Sequence, residues 1–82
     1  MKVSVIGTGY VGLVTGATLA DLGNQVVCLD ILEEKINSLN SGKSPIFEPG
    51  LEELIQKGIK TKNLVGSVEI EQHVRDSDIT FI

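Results

Sequence analysis

The stretch VIGTGYVG, residues 5–12, sets three glycines, Gly7, Gly9 and Gly12, directly behind the short β-branched run Lys2 to Ile6. Glycine inside a helix or strand costs roughly 0.5–1 kcal/mol against alanine, so three of them in one short frame need a physical reason. Their place between a strand and a helix supplies it. Gly7 permits the tight turn out of the strand, Gly9 lets main chain approach a pyrophosphate, and Gly12 lets the next helix pack closely on the strand. A helix opening near Tyr10 then aims unpaired N–H groups and its positive dipole end at the phosphates. Backbone donors supply the affinity, and no lysine is needed in the loop.

Outward from that stretch the chain alternates. Tyr10 to Leu22 carries apolar or small residues on nearly every face and no charge before Asp21, which predicts a helix buried against a sheet. Gly23-Asn24 closes it as a C-terminal glycine would. Gln25 to Asp30, QVVCLD, holds a continuous apolar run over residues 26–29 with no alternation, the mark of a strand covered on both faces in a parallel sheet. Leu32, Ile36 and Leu39 fall at helical spacing, with Glu33, Glu34 and Lys35 outward, and this helix should end near Asn40-Ser41-Gly42.

GKSPIFEPG, residues 42–50, reads as a loop. Pro49 suits the first turn of a short helix over PGLEELIQK, with Gly58 just past its end. NLVGSV (63–68) predicts a weaker third strand, EIEQHVRDS (69–77) a short helix with Ile70 and Val74 inward, and DITFI (78–82) a fourth strand. Such alternation predicts an α/β fold, a Rossmann-type doubly wound parallel sheet that is partial, with about four strands in the order 3-2-1-4.

GxGxxG alone is common. Here a strand precedes it, a buried helix follows, and Asp30 ends the second strand eighteen residues after Gly12. A carboxylate there can accept hydrogen bonds from both ribose hydroxyls of an adenosine and repel a 2′-phosphate, so NAD is expected over NADP, with Ile31 supplying no arginine to reverse this. The plainer reading of Asp30 is a cap for the next helix. Lys35 is close enough to approach the ribose or a phosphate, or is simply a solvated lysine. Tyr10 either touches the ligand or packs at the helix start. Cys28 is expected to be a small buried hydrophobe, His73 a surface residue, and no metal site is indicated.

At 82 residues the chain has room for one small domain, since a domain of this size buries only about 60% of its unfolded surface. With 41% hydrophobic and 22% charged residues, a formal net charge of −4 and no cluster of basic residues, it is globular and has no footprint for nucleic acid or anionic membranes. A single cysteine excludes an internal disulfide and fits a reducing, cytoplasmic setting. The opening Lys2 and apolar run look like a secretory signal, but glycines at 7, 9, 12 and 16 interrupt it. The chain stops inside an apolar run, DITFI, so residues 1–82 are read as the front of a longer NAD-binding domain.

MKVSVIGTGYVGLVTGATLADLGNQVVCLD, EEKINSLNSGKSPIFEPGLEELI and VRDSDITFI together resemble the N-terminal end of the nucleotide-sugar dehydrogenases, the UDP-glucose/GDP-mannose dehydrogenase family. GYVG and PIFEPGLEEL carry the likeness most specifically, and it spans essentially the whole chain. The resemblance implies NAD-dependent oxidation of a sugar C6 alcohol to a carboxylate with two NAD, UDP-glucose being the first expected substrate and GDP-mannose the second. It implies NAD contacts at Val11, Asp30 and Lys35. The family's nucleophilic cysteine and its catalytic lysine, asparagine and aspartate would lie downstream, so the 82 residues hold no catalytic group. It also implies a nucleotide-sugar substrate and a homo-oligomer for the full-length protein. Glu48 as a ligand contact is left open beside its plainer role in a stiff loop. Another Rossmann dehydrogenase, or a non-catalytic NAD-sensing module, fits the glycine loop as well.

Overall fold

Side-chain alternation along β1 (Lys2–Ile6) decides which helix lies on which side of the sheet: Val3 and Val5 are buried on one face, Ser4 on the other. The computed structural model describes residues 1–44 and 47–82; Pro45 and Ile46, inside the loop expected over 42–50, lie outside the described residues. Among the described residues β1 is followed by α1 (Tyr10–Asp21), β2 (Gln25–Leu29), α2 (Glu33–Asn40), α3 (Leu51–Thr61), β3 (Leu64–Ser67), α4 (Ile70–Asp76) and β4 (Ile79–Phe81). The strands form one parallel sheet in the order β3-β2-β1-β4, as the alternation predicts.

On the Val3–Val5 face lie α1, α2 and α3. A Cβ on Gly16 would sit 2.8 Å from Cys28 Sγ, so this glycine brings α1 down onto β2. Burial pushes the Cys28 thiol up to about 12, and the residue acts as the small core hydrophobe expected of it. Gly66 likewise sits under Ile36 and Leu39 of α2. On the opposite face the buried Ser4 hydroxyl donates to the His73 carbonyl oxygen of α4 (3.1 Å) and touches the Ser77 hydroxyl, which donates to that same carbonyl (2.6 Å). His73, expected at the surface, is therefore half-buried: its main chain is the point at which α4 is tied to β1.

Three helix boundaries differ from expectation. Gly58 does not stop α3, which runs on to Thr61 and ends at Lys62 in the left-handed region (φ 64°). A Cβ at Gly58 would lie 2.7 Å from Leu64 Cβ, so the residue is a contact point between α3 and β3. Pro49 lies outside the helix because Gly50, at φ 84°, forms the N-cap. α1 ends one residue early, with Gly23 at φ 101° turning the chain as expected. Ile70 and Val74 face inward but only half-bury, and no residue of α4 is fully buried.

β3 is an edge strand, and Asn40 closes part of that edge. Its amide accepts from Gly66 N–H (2.7 Å) and donates to Gly66 carbonyl (3.0 Å), as a neighbouring strand would. Asn40→Ala should lower stability by about 1–2 kcal/mol through the two lost bonds, checked by urea denaturation. An unchanged midpoint would mean that water replaces the amide without loss.

Candidate dinucleotide site

At the carboxyl end of β1 the chain order reverses: β2 and β3 lie on one side of β1 and β4 on the other. Open α/β sheets place their ligand crevice at such a reversal. The glycine loop lies there. Gly7 takes φ 98°, a region that favours glycine, and its N–H donates to the Leu29 carbonyl (2.7 Å), tying the turn to β2. Gly9 is the N-cap of α1 with no side chain over it, and a Cβ built there meets nothing within 4 Å. A Cβ on Gly12 would collide with the Gly7 carbonyl oxygen, so the helix start lies hard against the turn. Gly7 thus makes the turn, Gly12 admits the close contact of α1 with it, and the space over Gly9 is open.

The first bond inside α1 runs from Leu13 N–H to the Gly9 carbonyl (2.9 Å), so the amides of Tyr10, Val11 and Gly12 precede it. No acid stands in the first turn of α1, whereas α2, α3 and α4 begin with Glu33 and Glu34, Glu52 and Glu53, and Glu71. No acidic side chain of its own first turn therefore offsets the positive end of the α1 dipole. Beside it is a cavity of about 430 Å³ lined by Ile6, Gly7, Gly9, Tyr10, Val11, Gly12, Thr15 and, from β4 and its end, Phe81 and Ile82, with Val5 at its base. Tyr10 is half-exposed and Val11 largely so, both at the mouth.

Asp30 stands on the other side of the loop, after β2, and its carboxylate faces the turn. Oδ2 accepts from Thr8 N–H (3.1 Å) and Thr8 Oγ1 (2.7 Å), and Oδ1 accepts from Leu32 N–H (3.0 Å). Asp30 is not the cap of α2: the N-cap is Leu32, with no side-chain cap bond, and the carboxylate instead bonds the Leu32 amide from two residues upstream while it also grips the glycine loop. The Leu32 amide first, then the Thr8 hydroxyl, with Lys35 adding attraction, hold the Asp30 carboxyl below its ordinary value, and it stays ionised at neutral pH. Lys35 is exposed in the first turn of α2; neither it nor Asp30 lines the cavity, part of whose wall comes from Phe81 and Ile82.

Sequence reasoning passed over Thr8, which is 4% exposed and bonds Asp30 twice. It occupies a variable place in the glycine pattern, so spacing gave no signal for it. Glu48 is exposed beside a separate depression with Phe47, Pro49, Gly50, Glu52 and Glu53. No group of three or more His, Cys, Asp or Glu able to hold a metal occurs among the described residues, and none of the described helices is long and apolar enough to cross a membrane.

A parallel sheet, a bare glycine turn at a helix mouth and an acid at the end of the second strand define a Rossmann-type dinucleotide-binding domain. The family profile described as UDP-glucose/GDP-mannose dehydrogenase family, NAD binding domain, matches residues 1–82, and the chain belongs to that family, with NAD as the domain's cofactor. UDP-glucose 6-dehydrogenase TuaD of Bacillus subtilis (strain 168) is 51% identical over 81 residues, covering 99% of this chain and 18% of the relative. GDP-mannose 6-dehydrogenase of Pseudomonas syringae pv. syringae is 48% identical over 82 residues, 100% of this chain and 19% of the relative. The crystal structure of a ternary complex of GDP-mannose dehydrogenase from Pseudomonas aeruginosa superposes with a TM-score of 0.96 at 45% identity, covering 100% of this chain and 19% of that one. The chain thus spans about a fifth of the length of these relatives.

Proposed function

We propose that residues 1–82 form the adenosine-diphosphate side of the cofactor site in a nucleotide-sugar dehydrogenase, and that the whole protein oxidises the C6 alcohol of UDP-glucose to the carboxylate of UDP-glucuronate. Gly7, Gly9 and Gly12 clear the approach, and the amides at Tyr10, Val11 and Gly12 donate to the diphosphate. Asp30 accepts from the adenosine ribose, and Lys35 adds positive charge nearby. NAD held there would supply the hydride acceptor for each of two successive oxidations, with water providing the second carboxylate oxygen. One observation supports this reading most: the open space over Gly9 at an acid-free helix mouth, with Asp30 turned toward the same loop. UDP-glucose is the first reading and GDP-mannose the second; relatives of both names match, at 51% and 48% identity.

The test is NADH formation by the full-length protein with each nucleotide sugar. Two NADH per UDP-glucose consumed supports the first reading; turnover of GDP-mannose alone replaces it with the second, and no turnover of either refutes both. Asp30→Ala should weaken NAD binding by about 10–100-fold and narrow its advantage over NADP, since a charge-assisted hydrogen bond is worth about 1.5–3 kcal/mol. Titration of both dinucleotides checks this, and an unchanged NAD/NADP ratio contradicts the role given to Asp30.

A further inference from the structure

We infer that Thr8 is a positioning residue for cofactor choice: it locks the Asp30 carboxylate so that a single acceptor position, on Oδ1, is presented to the ribose. The inference rests on the reading of Asp30 as the ribose acceptor. A carboxylate offers about four acceptor positions. Three are taken, two on Oδ2 by the Thr8 amide and hydroxyl and one on Oδ1 by the Leu32 amide. One therefore remains, on the oxygen that Thr8 does not hold, so Asp30 has room for one ribose hydroxyl where the sequence allowed two. Thr8 is itself nearly buried, and its main chain leads directly from Gly7, whose amide is bonded to Leu29. The hydroxyl thus acts from a fixed support.

Rigidity of this kind matters for discrimination. A mobile aspartate relieves repulsion from a 2′-phosphate by turning into solvent. Asp30 can turn only by breaking its bonds to Thr8 and Leu32, so the repulsion stays in place when NADP is offered. The hydroxyl of Thr8 converts an avoidable clash of charges into a fixed one.

Thr8→Val and Thr8→Ala remove the hydroxyl and keep the amide; Thr8→Ser restores it. In the full-length protein, NAD and NADP affinities are measured by titration, with thermal unfolding to show that each variant is folded. The expected result is a fall in the NAD/NADP affinity ratio of roughly tenfold in either hydroxyl-less variant, the effect of losing one charge-assisted bond, with the serine variant near the wild-type ratio. A purely structural hydroxyl would weaken both dinucleotides together and leave the ratio alone, which overturns the inference. So would a serine variant that behaves like alanine. Asp30→Ala separates the two levels: if it narrows the ratio while the Thr8 variants do not, only the role of Thr8 falls. If it leaves the ratio unchanged, the ribose reading falls and the role of Thr8 with it.

Discussion

Gly9→Val leaves the protein folded and reduces NAD affinity by at least about 100-fold, or roughly 2.7 kcal/mol. At φ −73° and ψ −175° the position suits any L-residue, and a Cβ there meets nothing within 4 Å, so valine has room inside the protein. Valine is a poorer N-cap than glycine by about 1 kcal/mol, too little to unfold the domain. Its methyl groups instead fill the space over the mouth of α1, where a diphosphate has to reach main-chain amides at about 3 Å. Calorimetric titration and thermal unfolding of the same sample read the two effects separately. Wild-type affinity in the folded variant would mean that the diphosphate lies elsewhere.

The same substitution three residues on does the reverse. Gly12→Val places a Cβ on the Gly7 carbonyl oxygen, 3.3 Å from Gly7 C and 3.4 Å from Val5 Cγ1, before its methyl groups are counted. A flexible side chain would move aside, but this neighbour is backbone, pinned by the Gly7–Leu29 hydrogen bond at 2.7 Å. Overpacking costs typically about 1–3 kcal/mol and occasionally more, and the upper end is expected here because the turn cannot shift without losing its tie to β2. Urea denaturation checks it. A variant as stable as the wild type would show that α1 and the turn have slack that the structure denies. The two valines together separate a glycine kept open for a ligand from a glycine required by the fold.

The strand order and the glycine loop were legible because each depends on local pattern: continuous apolar runs, turn residues between them, and fixed spacing from Gly7 to Asp30. Gly58 was misread because a glycine after LEELIQK looks the same whether it ends a helix or admits a neighbour. Only the position of Leu64 on β3 distinguishes the two. Gly16 was noted solely as an interruption of an apolar run, although it is the point where α1 meets Cys28. Thr8 was invisible for a related reason, since its partner lies twenty-two residues away and is reached only once β1 and β2 pair in register. His73 was judged by its side chain, whereas its carbonyl oxygen is what the fold uses.

The proposed reach of Asp30 to the ribose and of the α1 amides to the diphosphate makes one statement about where a ligand lies. A crystal structure of the full-length protein with NAD tests it most directly. The diphosphate oxygens should lie within hydrogen-bond distance of amides between Gly9 and Gly12, with Oδ1 of Asp30 on an adenosine ribose hydroxyl. NAD bound with its diphosphate away from that turn, or with Asp30 turned from the ribose, would contradict the account.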